Sequence, residues 1–525
     1  MNPSLSERPL ELINHICSFL DNPKDLLSFS LTSRRICATA IPNHIECRHI
    51  RCDVRCVALW NRLADLPWIA SQFVSLEIIG RFESVALTRP IIPNYHPLLG
   101  IAESESGITT GWQEELREEC WSDCIHALAA AVRVMSGLRS FRCIDREESY
   151  SMNDAFAALK NCSRLDNIQI VVTPEFDDED EPYICHSPLW DLSDLRIFSF
   201  SCYDMTGTMD LDYINKYTKN MLNMLIHRAP GLEDLQLDLG DSEVDVGELF
   251  QHGCWPMLKR LTLASDIVMP EDDTMDRFLN AHTTLEHISI PRLSEVKAVR
   301  WMENVPCLRG LSCADPRNLK SAISRHAFKF LEYLALDLSY SSATGNFCLR
   351  SLSQITSLRR LTLRGGQSPP GLLAEVARAV PQLERLHFNH YDGWESPTVA
   401  KIINDEDGAF STRVTVLSHF RRLTHLSRFI CLDQSPDGSV SNEAAVTELV
   451  VQRCATACPV LKYINLPTER RISHTRSWIT IERNDDGSYA MWKPTDDSEK
   501  AALEVETWGG FFLGAQQSYM SRYLR

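Results

Sequence analysis

Nothing in this chain is apolar for long enough to cross a membrane. The best run, Ala127–Met135, is broken by Arg133 and falls well short of the roughly 20 residues a spanning helix needs. Glycine (22) and proline (25) are too few in 525 residues for a low-complexity or collagen-like chain. Basic residues are outnumbered 53 to 70, giving a net charge of -17. Such a surface repels phosphate backbones, so the expectation is no nucleic-acid partner and no membrane partner. Residues 1–20 lack a basic leader, and Glu7 and Glu11 flank their short apolar stretch. The second residue, Asn2, does not suit myristoylation, and the closing Tyr-Leu-Arg does not suit prenylation. The 18 cysteines are scattered rather than arranged as a framework, so they are expected to be reduced, in the cytoplasm and/or nucleus.

Catalytic signatures are missing too. There is no G-x-S-x-G, no phosphate-binding glycine loop and no H-E-x-x-H. His44, Cys47, His49, Cys52 and Cys56 crowd together but match no zinc-ligand spacing, and reduced cysteines pack as small hydrophobes. The pairs Cys120/Cys124 and Cys454/Cys458 suit one face of a helix in a core. His387, Asn389, His390 and Asp392 lie close in sequence without a nucleophile beside them. The expectation is therefore no catalytic residue, no metal, no cofactor and no enzymatic activity.

What is present is a repeat. Units of the form L-x-x-L-x-L begin at Leu232, Leu258, Leu285, Leu308, Leu331, Leu358 and Leu383, separated by 26, 27, 23, 23, 27 and 25 residues. Each carries a charge at its second position: Glu233, Lys259, Glu286, Arg309, Glu332, Arg359 and Glu384. Less regular units start at Phe73, Leu138, Leu165, Leu195, Leu423 and Leu461. Alternation turns the fourth and sixth residues of each unit, such as Leu361 and Leu363, inward from a short strand. One such strand cannot hide its apolar face, but stacked copies form a parallel sheet over a shared core. Helical spacing between strands is clear at Ile214–Leu225 and Val446–Cys454. Pro230, Pro256, Pro306, Pro381 and Pro459, each two residues before a repeat leucine, stop the preceding helix.

The N-terminus is different. Residues 9–41 read as three short helices, with Leu12, Ile13, Ile16, Phe19 and Leu20 striping the first. Asn22 and Pro23 suit the start of the second, which carries Leu26, Leu27 and Leu31. The third starts near Ser33. Three helices in so few residues have too little volume to bury this surface, which predicts a docking face.

Pro9-Leu10-Glu11-Leu12-Ile13, Ile16, Leu20, Asp25-Leu26-Leu27, Leu31 and Ser33-Arg34-Arg35 resemble the F-box signature, although Arg8 stands where that family has leucine. With the repeats, the chain resembles fungal-type F-box proteins with degenerate leucine-rich repeats, the substrate receptors of SCF ubiquitin ligases. The resemblance implies an α/β fold: a three-helix F-box, then a leucine-rich-repeat solenoid with parallel strands on its concave face and helices on its convex face. The expected boundaries are a flexible N-terminus over 1–8, an F-box over 9–43, a helical linker over 44–75, repeats over 76–467 with a loop inserted at about 80–120, and a cap over 468–525 with a β-hairpin.

It also implies a non-catalytic substrate adaptor in ubiquitin-dependent protein degradation. Pro9, Leu12, Ile13, Ile16, Leu20, Leu26 and Leu27 would bind a Skp-family adaptor and, through it, a cullin-RING ligase. The alternative is a leucine-rich-repeat scaffold for protein–protein interaction that takes no part in ubiquitination. Outward positions of successive strands place Tyr333, Arg360, Arg364, Arg385 and His387 on one basic and aromatic strip. A strip of that kind suits an acidic or phosphorylated segment of a protein substrate.

Overall fold

The computed structural model describes residues 8–20, 23–45, 47–79, 118–144, 151–172, 182–202, 211–239, 244–263, 267–268, 272–290, 305–313, 328–337, 351–364, 372–389, 409–427, 443–466 and 477–495. The expected loop at about 80–120 lies almost wholly outside them, as do the N-terminal seven residues and most of the expected cap. The chain divides into two compact units, 1–253 and 254–525, each a repeat-type α/β solenoid.

The first unit opens with α1 (Leu10–Phe19), α2 (Pro23–Ser30) and α3 (Arg34–Ala40). Ser33 caps α3, its hydroxyl accepting from the Ile36 amide at 3.1 Å. Ile13, Cys17, Leu26, Ile36 and Ala40 fill a small core, with Leu20, Phe29 and Ile45 packed against it. The imidazole of His44 meets the Asn14 amide at 3.0 Å, tying the turn after α3 back to α1. Strands β1 (His49–Cys52), β2 (Ser75–Ile79), β3 (Ser140–Ile144), β4 (Asn167–Val172), β5 (Ile197–Cys202) and β6 (Asp234–Asp238) then pair in chain order, each parallel to the next. A two-residue strand, β7 (Val244–Asp245), follows. The segment 44–75, expected to be a helical linker, contains β1 as well as the helices Val57–Asp65 and Pro67–Ala70. Only Ile50 and Cys52 alternate there, too short a run to announce a strand.

In the second unit β8 (Arg260–Leu263), β10 (His287–Ile290), β11 (Gly310–Cys313), β12 (Tyr333–Asp337), β13 (Arg360–Arg364), β14 (Arg385–Asn389), β15 (His425–Ser427) and β16 (Tyr463–Leu466) are parallel neighbours, while β9 (Ile267–Val268) is a two-residue strand outside that series. An antiparallel hairpin, β17 (Ser477–Arg483) and β18 (Tyr489–Pro494), closes the edge. Its turn needs Gly487, whose φ of +81° is strained for any residue with a Cβ.

One backbone device recurs through both units. A second-position carbonyl accepts two amides from the next repeat: Lys259 takes Glu286 and His287 at 2.8 and 3.0 Å, and Glu332 takes Arg359 and Arg360, both at 2.9 Å. Arg48, Val74, Arg139, Asp166 and Arg196 do the same in the first unit. The repeat leucines and their inward partners are buried, including Leu334, Leu336, Leu361, Leu363, Leu386 and Phe388. Packing of this density makes each costly to truncate.

Candidate functional site

Parallel register sets side chains of successive repeats side by side, strand spacing being about 4.8 Å. The third-position row of the second unit runs Arg260, His287, Gly310, Tyr333, Arg360, Arg385, His425 and Tyr463. Gly310 leaves room for its neighbour: a Cβ there would lie 2.1 Å from the His287 imidazole nitrogen, so that ring would have to shift. The second-position row beside it alternates in sign, Lys259, Glu286, Arg309, Glu332, Arg359 and Glu384. Arg309 meets Glu332 at 3.7 Å and Arg359 meets Glu384 at 3.5 Å. These exposed pairs are worth about 0–1 kcal/mol each, and they engage Glu332 and Glu384.

The fifth-position row, which alternation alone leaves solvated, is buried at Ala335, Thr362, His387, Ser427 and Asn465. Their in-register neighbours two residues earlier on each strand are the larger Tyr333, Arg360, Arg385 and His425. The Tyr333 hydroxyl reaches Thr362 Oγ1 at 3.5 Å.

Tyr333, Arg360, Arg385 and His387 line one small depression. Arg364 continues β13 in register with Asp337 and Asn389; its side chain lies outside the described residues. Three further wall residues, His425, Ser427 and Trp478, are not marked by the repeat pattern. His425 sits in the poorly matching unit at Leu423, and Trp478 sits in the hairpin, where alternation leaves its facing ambiguous. In the structure Ile479 and Ile481 turn to the core, so Trp478 and Thr480 face the strip.

Cationic side chains act on both histidines of the strip. Burial, then the guanidiniums of Arg385 and Arg360 and the Lys462 ammonium, push His425 down to about 3. Burial and Arg260, Arg309 and Arg360 push His287 down to about 4. Both imidazoles are neutral at pH 7, and the cations beside them are arginine and lysine. Thr424 Oγ1 donates to the Glu384 carbonyl at 3.0 Å and touches His425 Nδ1 at 2.7 Å. With its proton spent on that carbonyl, the hydroxyl accepts from Nδ1–H, which leaves Nε2 an acceptor. The His425 ring stacks at a tilt on Tyr463, centroids 4.7 Å apart, and Lys462 Nζ lies 4.9 Å from the Tyr463 centroid.

In the first unit it is the fifth-position row that carries charge, Arg51, Glu77 and Arg142. Glu77 is buried and accepts from Arg51 and Arg142, its register partners on either side, at 2.6 Å each.

At the N-terminus the expected adaptor-binding residues divide. Ile13 and Leu26 belong to the interior and Ile16 and Leu20 are half-buried, whereas Pro9 is exposed and Leu12 and Leu27 are 49% and 46% exposed. Leu10, Phe19 and Leu31 join the last two on the surface. Cys47, Cys52 and Cys56 are buried, and among the described residues no group of three or more His, Cys, Asp or Glu side chains is placed to hold a metal ion. Among them, too, no helix is long and apolar enough to cross a membrane. Neither a scan against models of protein families nor a search of curated proteins gives a match.

Proposed function

We propose that the chain is a protein-interaction scaffold of leucine-rich-repeat type, which receives its partner on the strand face around Tyr333, Arg360, Arg385 and His387. The observation that carries this reading is the in-register row of arginine, tyrosine and histidine over a shallow depression, presented by strands fixed through their own backbone ladder. Arginine and tyrosine anchor interfaces more often than other residues, and a rigid platform lowers the entropic cost of binding. Cross-linking of the intact chain to its captured partners should place the linked residues on β12 to β16. Links confined to the first unit would refute the assignment.

A second reading is favoured by the N-terminal helices: the scaffold is the substrate-recognition subunit of an SCF-type ubiquitin ligase. Exposed leucines on a three-helix bundle with a complete small core are surface that a partner covers. In this reading Leu12 and Leu27, with Leu10, Phe19 and Leu31, dock on a Skp-family adaptor, while the strand face holds the target near a ubiquitin-charged enzyme. The activity is positional and needs no chemistry from this chain. Co-purification of the adaptor with wild type, lost in Leu12→Asp/Leu27→Asp, supports it. No adaptor binding by wild type leaves the scaffold reading alone.

A further inference from the structure

The second-position row, Lys259, Glu286, Arg309, Glu332, Arg359 and Glu384, runs across successive parallel strands from β8 to β14. Six alternating charges have a property that no single pair has: turned end for end, the row opposes itself at every place. Its midpoint falls between β11 and β12, where the side chains of Arg309 and Glu332 are 56% and 54% exposed. The turns that lead into those two strands carry Pro306-Cys307 and Lys329-Phe330. Pro306 and Cys307 are exposed, and Phe330, at 61%, is the most exposed large hydrophobic among the described residues of the second unit. Apolar surface at the centre of a charged rim is what an interface presents.

We infer that this rim is a homodimer interface: a second copy of the chain docks on it about a twofold axis that lies across the row, between β11 and β12. Arg309 then faces the partner's Glu332 and Glu286 faces the partner's Arg359, each contact occurring twice, while Phe330 packs on the partner's Pro306 and Cys307. Lys259 and Glu384 continue the same opposition outward. Charge selects the direction of docking as well as the occupant. Laid against itself without reversal, the row would set every charge against its own copy. Arg309 already meets Glu332 of its own chain at 3.7 Å, and a guanidinium with five N–H donors can serve a carboxylate on each side. None of these residues lines the depression around Tyr333 and Arg360, so the inference stands apart from the partner surface proposed above. Six strands at about 4.8 Å make a contact roughly 25 Å long, at the low end for a specific interface, so a Kd in the micromolar range is expected.

Sedimentation equilibrium on the full chain over about 1–100 μM tests this, at roughly 0.15 M salt to screen the net charge of each copy. Wild type should exchange between monomer and dimer. Phe330→Glu should weaken the dimer about tenfold or more at an unchanged Tm, since the ring is exposed in the monomer. The decisive pair of variants is Glu286→Lys and Arg359→Glu. Each alone sets like charges together at both outer contacts and should weaken self-association about fivefold or more. Mixed in equal amounts, the two restore opposition at both contacts and should form a heterodimer with about wild-type affinity. No change within one chain can produce a rescue that depends on mixing. Should either charge variant melt early, Phe330→Glu decides alone. A wild type that stays monomeric throughout, a Phe330→Glu variant that associates as wild type does, or a mixture no tighter than its folded components overturns the inference.

Discussion

Replacing Arg483 by methionine should loosen the C-terminal hairpin without unfolding the repeats. Its guanidinium Nη2 lies 3.2, 3.1 and 3.1 Å from the carbonyls of Ala455, Cys458 and Leu461, where the helix Glu443–Ala457 ends and the turn into β16 begins. Nη1 reaches back to the Gly487 carbonyl at 3.1 Å. Partial burial pulls the Arg483 pKa below the usual arginine value, so the group is desolvated to hold these contacts. Three acceptors share the two hydrogens of Nη2, equivalent to about two charge-assisted bonds of roughly 1.5–3 kcal/mol each when buried. With the side chain half-buried, a total of about 2–4 kcal/mol is reasonable, and methionine preserves the packing of the stem. That loss should appear as a roughly 30- to 1000-fold drop in hydrogen-exchange protection at hairpin amides. The Ile481 amide, bonded to the Lys462 carbonyl at 2.9 Å, is a suitable reporter, with the Arg385 amide on β14 as the unaffected control. A change below about threefold at Ile481 would refute the reasoning, because the carbonyls would then be satisfied without the guanidinium.

Leu361→Ala should cost roughly 2–5 kcal/mol in denaturant melts, and Thr362→Glu about 1–3 kcal/mol, because both positions are buried. A wild-type melt for Thr362→Glu would mean the fifth-position row is open to solvent. Ile13→Asp or Leu26→Asp should abolish the cooperative melt of the N-terminal bundle, whereas Leu12→Asp and Leu27→Asp should leave its circular dichroism unchanged. Acidification should destabilise the fold below about pH 6.5. Burial holds His44 and His287 down at about 4 and His425 at about 3 in the folded chain, while unfolded imidazoles bind protons near 6.5. Stability is then complete above about 6.5 and declines as pH falls toward 4, which denaturant midpoints at pH 7.5, 6 and 5 would reveal.

The regular repeats were legible because burial there depends on a period: Leu285, Leu308 and Leu331 keep their spacing, and each heads a strand. Leu138 and Leu423 match the pattern poorly, yet both are buried and head β3 and β15. Backbone pairing with neighbours holds a degenerate unit in place, and that support is invisible one unit at a time. The strip was legible for the same reason, since register follows from period. Its burial was not, because cover depends on which long side chains lie across which short ones. Trp478 reaches the strip through an antiparallel turn-back, and the Arg483 contacts join residues 22 to 28 positions apart; no periodicity marks either.

The alternating second-position charges give the array a parity. Excising the single repeat 308–330 would set Glu286 beside Glu332, like against like, although the carbonyl ladder could still close. Excising 285–330, two repeats together, would set Lys259 beside Glu332 and restore opposition. Each junction is worth little energy, but all of them count in the same direction. Between Lys259 and Glu384 the array can therefore lengthen or shorten most readily in steps of two, and a strand that pairs one repeat out of place meets repulsion at its first contact.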